Sequence, residues 1–179
     1  MSVVPGVPLR WLVTFINEYA DQPRDEARES GQPYPDLTDD EHPAAASQLS
    51  AATLAAIASA LWPVFAATGS VQKAAALNRL LRDADLTPGV TPDGHLSWTT
   101  GHRATAPVLT AGCAVALLGA VESVSWQRLG TCGGSDCVDV YIDRRGRTPR
   151  RYCSDICLNR ARVRAYRRRR TPKKPDITG

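Results

Sequence analysis

Apolar residues recur at intervals of three or four along two stretches of the chain, and a third stretch is a long, mostly uncharged run; together they predict three helices. The first stretch covers residues 44–67, where Pro63 is expected to kink or end the helix. The second begins at Ser70, a good N-cap residue, and extends to about residue 82. The third covers residues 104–126. We expect one face of the second helix to be buried: Val71, Ala74, Leu77 and Leu81.

The third helical stretch raises the question of a membrane span, because residues 104–121 contain no charged side chain. A spanning helix needs roughly 20 strongly apolar residues, whereas this stretch is rich in alanine, threonine and glycine. We therefore expect a buried helix and no membrane association. Cys113 is expected to be a small buried apolar residue rather than a metal ligand.

Three other segments belong to the same N-terminal part. Residues 10–19 are apolar and aromatic, and they fit either a strand or a helix. Residues 20–43 are rich in charge and proline and predict a surface loop, with a helical turn near residues 24–29. Residues 86–100 predict a small β-hairpin with a turn at Pro92-Asp93-Gly94.

The last third of the chain begins with a pattern typical of strands. Residues 138–142 alternate between apolar and polar side chains and predict a strand. A turn at residues 144–146, in which Gly146 can take a positive φ, would lead to a second strand at residues 150–152. These segments predict a second hairpin.

A helix is expected to follow this hairpin. Ser154 is a good N-cap, and the helix should extend over residues 155–170. We expect the apolar side chains of Ile156, Val163 and Tyr166 to face the hairpin.

Four of the five cysteines lie in this C-terminal part, as C-x4-C, fifteen intervening residues and C-x3-C: Cys132, Cys137, Cys153 and Cys157. Two close pairs joined by a short spacer supply the four thiolates of a tetrahedral Zn²⁺ site. The alternative is two disulfides. The first twenty residues lack the features of a secretory signal, so we expect a cytoplasmic protein with reduced thiols. We therefore expect one structural Zn²⁺.

These elements predict a mainly α N-terminal domain with a small β-hairpin, followed by a small C-terminal treble-clef-like zinc finger made of a hairpin and a helix. We place the first domain at residues 1–129 and the finger at residues 130–170, with Gly130 and Thr131 as the hinge. Residues 171–179 contain two prolines and predict a flexible tail.

Charge is divided unevenly between the two parts. Residues 131–179 hold 14 basic and 5 acidic side chains, a net charge of +9, whereas residues 1–130 hold 8 basic and 13 acidic side chains, a net charge of −5. Four thiolates and one Zn²⁺ would lower the charge of the C-terminal part to about +7. A small basic domain attached to an acidic one indicates a polyanionic partner for the basic domain.

The candidate nucleic-acid contacts are Arg150, Arg151, Asn159, Arg160, Arg162, Arg164, Arg167 and Arg168. Helical spacing places Arg160, Arg164 and Arg168 on one side, with Arg167 beside them. Arginine binds phosphate and guanine edges through a fork of donors. Asn159 lies near the helix start. Its side chain fits two alternative roles, a contact with a base and the capping of a loop.

The C-terminal part resembles the CGNR zinc finger. The family's Cys-Gly-Asn-Arg run corresponds here to Cys157-Leu158-Asn159-Arg160, so leucine replaces the family glycine. Tyr141-Ile142-Asp143 matches the family's aromatic-x-Asp element. Arg150-Arg151-Tyr152-Cys153-Ser154 matches the segment before the helix, with tyrosine in place of the usual tryptophan.

Such fingers usually follow an N-terminal ABATE domain, and Phe15-Ile16-Asn17 resembles the Phe-(Val/Leu)-Asn element near the start of that domain. Asn17 itself is expected to make a structural polar contact. Proteins of this kind are described as stress-induced transcription regulators, so the resemblance implies DNA binding and transcription regulation.

Three functions stay open at this point. The first is a DNA-binding regulator associated with the nucleoid, whose N-terminal domain acts as a sensor of a small-molecule effector or as a homodimerisation module. The second is an RNA-binding or ribosome-associated zinc protein, and the third is a protein–protein interaction module. The sequence contains no nucleophile–base pair, glycine-rich phosphate loop or carboxylate dyad, so we do not expect an enzyme.

Overall fold

The computed structural model describes residues 1–37, 42–144 and 148–170. The turn predicted at residues 144–146 and the predicted tail at residues 171–179 therefore lie wholly or mostly outside the described residues. The described chain is mostly helical and carries two small antiparallel sheets. Its α-helices are α1 (Leu9–Tyr19), α2 (Asp21–Ala27), α3 (Ala51–Leu61), α4 (Pro63–Ala66), α5 (Ser70–Asp83), α6 (Thr105–Val124) and α7 (Asp155–Arg170).

Five strands form the two sheets: β1 (Ser2–Val3), β2 (Leu86–Val90), β3 (Leu96–Thr100), β4 (Leu129–Thr131) and β5 (Val140–Ile142). Strands β2 and β3 form the hairpin that the sequence predicts, and β1 extends it in the order β1-β3-β2. Strand β1 was not predicted, because two residues are too few to show an alternating pattern. Strands β4 and β5 form the second sheet.

Pro63 determines where the predicted helix at residues 44–67 divides. A short 3₁₀ helix, Ala46–Gln48, precedes α3, which ends at Leu61, and α4 begins at Pro63. Pro63 lies in the first turn of α4, where its missing N–H costs nothing. The prediction that Pro63 ends the first helix is confirmed.

The start of α5 differs from the prediction. Ser70 is the first helical residue rather than the N-cap, because Gly69, with φ of 91°, makes the sharp entry into the helix. Val71 is 75% exposed, so the predicted buried face was wrong at that position. Leu77 is buried as predicted, and Lys73 and Leu80 are buried as well.

Helix α6 is long and apolar enough to cross a membrane by length and composition alone, a test that a buried core helix also passes. In this structure Leu109, Cys113 and Leu117 are fully buried and belong to the hydrophobic core. Helix α6 packs against α1, α3 and α5. Cys113 is thus the buried apolar residue that the sequence predicts, whereas the absence of membrane association stays a prediction.

Helix α1 resolves the choice between strand and helix for residues 10–19. Its apolar side chains Trp11, Leu12, Phe15 and Ile16 are buried at helical spacing. It packs against α2, α3 and α6 and also against strand β5. Helix α1 therefore lies between the helical core and the second sheet.

The segment after α1 is better ordered than a surface loop. Helix α2 replaces the single helical turn predicted near residues 24–29. The buried guanidinium of Arg24 donates hydrogen bonds to the backbone carbonyls of Glu18, Glu29 and Gln32 at 3.1, 2.9 and 2.8 Å. It also lies 4.3 Å from the ring centroid of Tyr34, so one arginine fixes the path of the chain after α2.

The β4–β5 sheet is built into the helical core. Leu129 and Val140 are 1% exposed and belong to the same hydrophobic cluster as α1. Gly130 and Thr131, predicted to be a hinge, lie in strand β4. The hinge prediction was wrong because the strand that contains these residues begins inside the core.

Three helical-domain side chains hold the backbone of this sheet. The Asn17 side chain donates to the Val140 carbonyl at 3.2 Å and accepts from the Val140 N–H at 2.7 Å. Trp62 Nε1 donates to the Val138 carbonyl at 3.4 Å, and Lys73 Nζ donates to the Leu129 carbonyl. The prediction that Asn17 makes a structural polar contact is confirmed.

We predict that Asn17→Ala lowers the free energy of unfolding by about 2 kcal/mol, because it leaves a buried N–H and a buried carbonyl of Val140 without partners. Urea denaturation measures this loss, and Thr14→Ala, an exposed change on the same helix, is the control. Equal stability of the two variants would show that the Asn17 contacts do not hold the sheet.

Candidate metal centre

Four cysteines meet at the junction of the second sheet and the last helix. Cys132 directly follows β4 and Cys137 precedes β5, while Cys153 lies just before α7 and Cys157 in its first turn. Their four sulfur atoms all lie within 4.8 Å of one another. The structure thus brings together the four cysteines that the sequence nominates.

The sulfur separations test the two interpretations of these cysteines. Cys137 Sγ lies 3.6 Å from Cys153 Sγ, which lies 3.7 Å from Cys157 Sγ. A disulfide needs about 2.05 Å, and all five cysteines are free thiols here. Four sulfurs placed 2.3 Å from one Zn²⁺ at tetrahedral angles would lie about 3.8 Å apart. The cluster can therefore hold one zinc ion.

The loop between Cys132 and Cys137, hereafter the knuckle loop, is closed by backbone hydrogen bonds. The Cys132 N–H donates to the Asp139 carbonyl and the Gly133 N–H to the Arg151 carbonyl, both at 2.8 Å. A Cβ at Gly133 would lie 3.0 Å from that same carbonyl oxygen, so a larger residue would push the two segments apart. Glycine here lets the two halves of the metal centre approach each other.

The helix start orients the second pair of cysteines. Ser154 Oγ accepts a hydrogen bond from the Cys157 N–H at 3.4 Å, as expected for the predicted N-cap. The Cys153 N–H donates a hydrogen bond to Cys132 Sγ, with 3.5 Å between the nitrogen and the sulfur. Asp155 adds a negative charge to the first turn, which the helix dipole favours.

Burial sets the protonation of the thiols in the absence of metal. It raises the pKa of Cys153 to about 12 and also raises the pKa of Cys137. Burial acts in the same direction on Cys132, but the backbone N–H groups of Cys153 and Gly134 stabilise its thiolate and leave its pKa lowered. Because Zn²⁺ binds thiolates, metal binding must displace protons from this cluster.

A buried carboxylate supports the segment that leads to Cys153. Asp143 is 2% exposed, forms an ion pair with Arg128 at 3.0 Å and accepts a hydrogen bond from the Arg150 N–H at 3.1 Å. The Tyr141 hydroxyl donates to the Arg150 carbonyl at 2.6 Å. The sequence marked Tyr141 and Asp143 as a motif, but the role of Arg128 as the partner of Asp143 was missed.

These contacts correct the predicted hairpin of the finger. Strand β5 pairs with β4, whereas residues 150–152 form no strand and are held by the Tyr141 and Asp143 side chains. The prediction failed because Leu129–Thr131 is only three residues long and shows no recognisable alternation.

The predicted arginine surface is divided by the fold. A groove of about 650 Å³ between the knuckle loop and α7 is lined by five arginines, Arg151, Arg160, Arg164, Arg167 and Arg168. Asp136 also lines this groove and forms an ion pair with Arg164.

The other predicted contact residues lie outside this groove. Arg150 lines a cleft of about 480 Å³ beside α1 and donates to the Cys153 carbonyl at 2.8 Å. Asn159 and Arg162 are exposed outside both cavities.

Helix α7 packs on a face that the sequence did not indicate. Ile156, Val163 and Tyr166 are 64%, 49% and 59% exposed, so the prediction that they face the hairpin was wrong. Ala161 and Ala165, which are half-buried, instead line the groove between the knuckle loop and α7. Among the α7 side chains that the structure describes, Cys157 alone is buried.

Residues 128–170 match the family model of the CGNR zinc finger. The match covers β4, the knuckle loop, β5 and α7, and it contains all four clustered cysteines and Arg128. No curated protein matches the chain. The matched segment is the one that carries the metal centre.

We predict that iodoacetamide modifies the four clustered cysteines only after zinc is chelated, because zinc occupies their thiolates. Cys113 should resist until the protein is denatured, since it is fully buried in the hydrophobic core and the reagent cannot reach it. Mass spectrometry of peptides from treated protein counts the modified sites, and Cys153→Ser is the metal-deficient control. Equal modification with and without chelator, or purified protein without stoichiometric zinc, would contradict the assignment.

Proposed function

We propose that this chain is a zinc-dependent DNA-binding transcription regulator whose C-terminal finger contacts duplex DNA. The observation that supports this most is the groove of five arginines between the knuckle loop and α7. Arginine is the side chain best suited to fork onto phosphate oxygens. Asp136 is the one acidic residue among those that line the groove. The net positive charge of the groove therefore favours a polyanion.

The finger in this proposal has a treble-clef-like arrangement. One cysteine pair flanks the knuckle loop between two strands, and the other pair lies at the start of a helix. Both pairs come from tight backbone segments, which is the usual construction of a closed structural zinc site. Zinc would supply no chemistry here beyond holding the arginine helix in place.

The helical part, residues 1–129, would serve as an ABATE-like sensor or dimerisation module. Its contribution to this proposal rests on the Phe15-Ile16-Asn17 element, in which Asn17 bonds directly to strand β5 of the finger. A ligand that shifts α1 would act on the finger through this contact. We propose that the protein works in the cytoplasm on the nucleoid and that its role is not enzymatic.

We predict that binding to a duplex of mixed sequence weakens with salt, with a slope of log K against log salt of about −4 to −5 if around five phosphates are neutralised. Arg160→Ala with Arg164→Ala should weaken binding and flatten the slope by roughly one unit per lost contact. Fluorescence anisotropy over a salt series measures both quantities.

The matched control is Arg79→Ala with Arg82→Ala, which removes two exposed arginines from α5, away from the finger. This variant should keep the wild-type slope. A groove variant that binds like the control would show that the groove is not the contact surface. An RNA duplex or single strand that displaces the DNA at lower concentration would favour the RNA-binding alternative.

A further inference from the structure

The outward surface of α7 combines exposed apolar side chains with a central asparagine. With 3.6 residues per turn, Ile156, Asn159 and Val163 fall within about 60° of one another around the helix, and Tyr166 lies beside them. All four are exposed. Arg164 and Arg168, which line the groove, point more than about 100° away from the centre of this surface.

We infer that this outward surface, Ile156, Asn159, Val163 and Tyr166, is the face that reads base pairs in the major groove of duplex DNA; the inference rests on the proposed function and deepens it. Of the arginines that line the inner groove, Arg160 and Arg167 border this face and then contact phosphate. The face that determines sequence preference is thus different from the arginine side on which sequence reasoning places the main contact.

The chemistry of the reading face matches base edges. Asparagine can pair with adenine through two hydrogen bonds, and an apolar side chain can contact the thymine methyl group. Asn159 lies between Ile156 and Val163, so both kinds of contact would fall on neighbouring base pairs. The groove is about 12 Å wide and admits a helix, and α7, with sixteen residues, would be about 24 Å long.

Arginines border the reading face on both sides. Arg160 and Arg167 lie along one edge and Arg162 and Arg169 along the other, by helical spacing. A helix seated in the major groove has a phosphate backbone on each side, so these two edges meet negative charge. Over residues 156–169 this arrangement places neutral side chains towards bases and cations towards phosphates.

The same borders disfavour the other occupants of an exposed apolar helix face. A second copy of α7 packed on this face would bring arginine edges together and be repelled. A membrane surface would gain little, because the face offers only three apolar side chains to bury. An acidic helix would satisfy the arginines but would leave Asn159 without a matched partner at the centre of the contact.

The test is selection of binding sites from a pool of random duplexes by the full-length zinc-loaded protein. Asn159→Ala should lose roughly ten- to hundred-fold discrimination at one base-pair position and keep the wild-type salt slope, since asparagine carries no charge. Arg162→Ala, a change at the border of the reading face, should instead weaken binding to all sequences alike and flatten the slope. Asn78→Ala, an exposed asparagine on α5, is the matched control and should select the wild-type sequence.

The outcomes separate this inference from the proposed function. If the wild type binds duplexes without sequence preference, or if Asn159→Ala and Val163→Ala select the wild-type sequence, the inference is overturned and the proposed function stands. If the wild type does not bind duplex DNA, both are overturned. Binding to an acidic helical peptide or to anionic vesicles that depends on Val163 would also overturn the inference. Zinc content equal to wild type confirms that each variant is folded at the metal centre.

Discussion

Helix α7 is attached to the rest of the protein through the four-sulfur cluster. Cys157 is its one buried side chain among those described, and Arg164 forms an exposed ion pair with Asp136 of the knuckle loop. The helix is also dense in arginines that repel one another at a spacing of four, and an isolated helix of this length is marginal in water. We therefore expect metal coordination to hold this like-charged helix in a defined position.

The other half of the finger depends on the hydrophobic core rather than on metal. Leu129 and Val140 are buried with the helical residues, and Asn17 satisfies both backbone groups of Val140. The metal centre thus joins two parts that are held in place by different interactions. The sheet packs in the hydrophobic core, and the helix is attached mainly through its cysteine ligands. A shift of α1 would move the sheet and, through Cys132 and Cys137, the metal and the arginine helix.

The sequence predicts those features that local patterns determine. Cysteine spacing identifies all four sulfur ligands, because each pair lies within one tight segment. It does not identify the strand partner of β5, since Leu129–Thr131 is short and its burial depends on distant helices. Helical periodicity gives the relative positions of the α7 side chains but not the packed face. Large apolar side chains suggest the wrong face, because Ile156, Val163 and Tyr166 are exposed while Ala161 and Ala165 line the groove beside the knuckle loop.

Hydrogen exchange and DNA binding, measured together on zinc-loaded and zinc-depleted protein, test the central claim most directly. The account predicts that depletion abolishes duplex binding and removes the amide protection of α7, while the Val140 amide, bonded to Asn17, stays protected. Restored zinc should recover both properties. Duplex binding and α7 protection that persist at full strength in zinc-free protein would contradict the account.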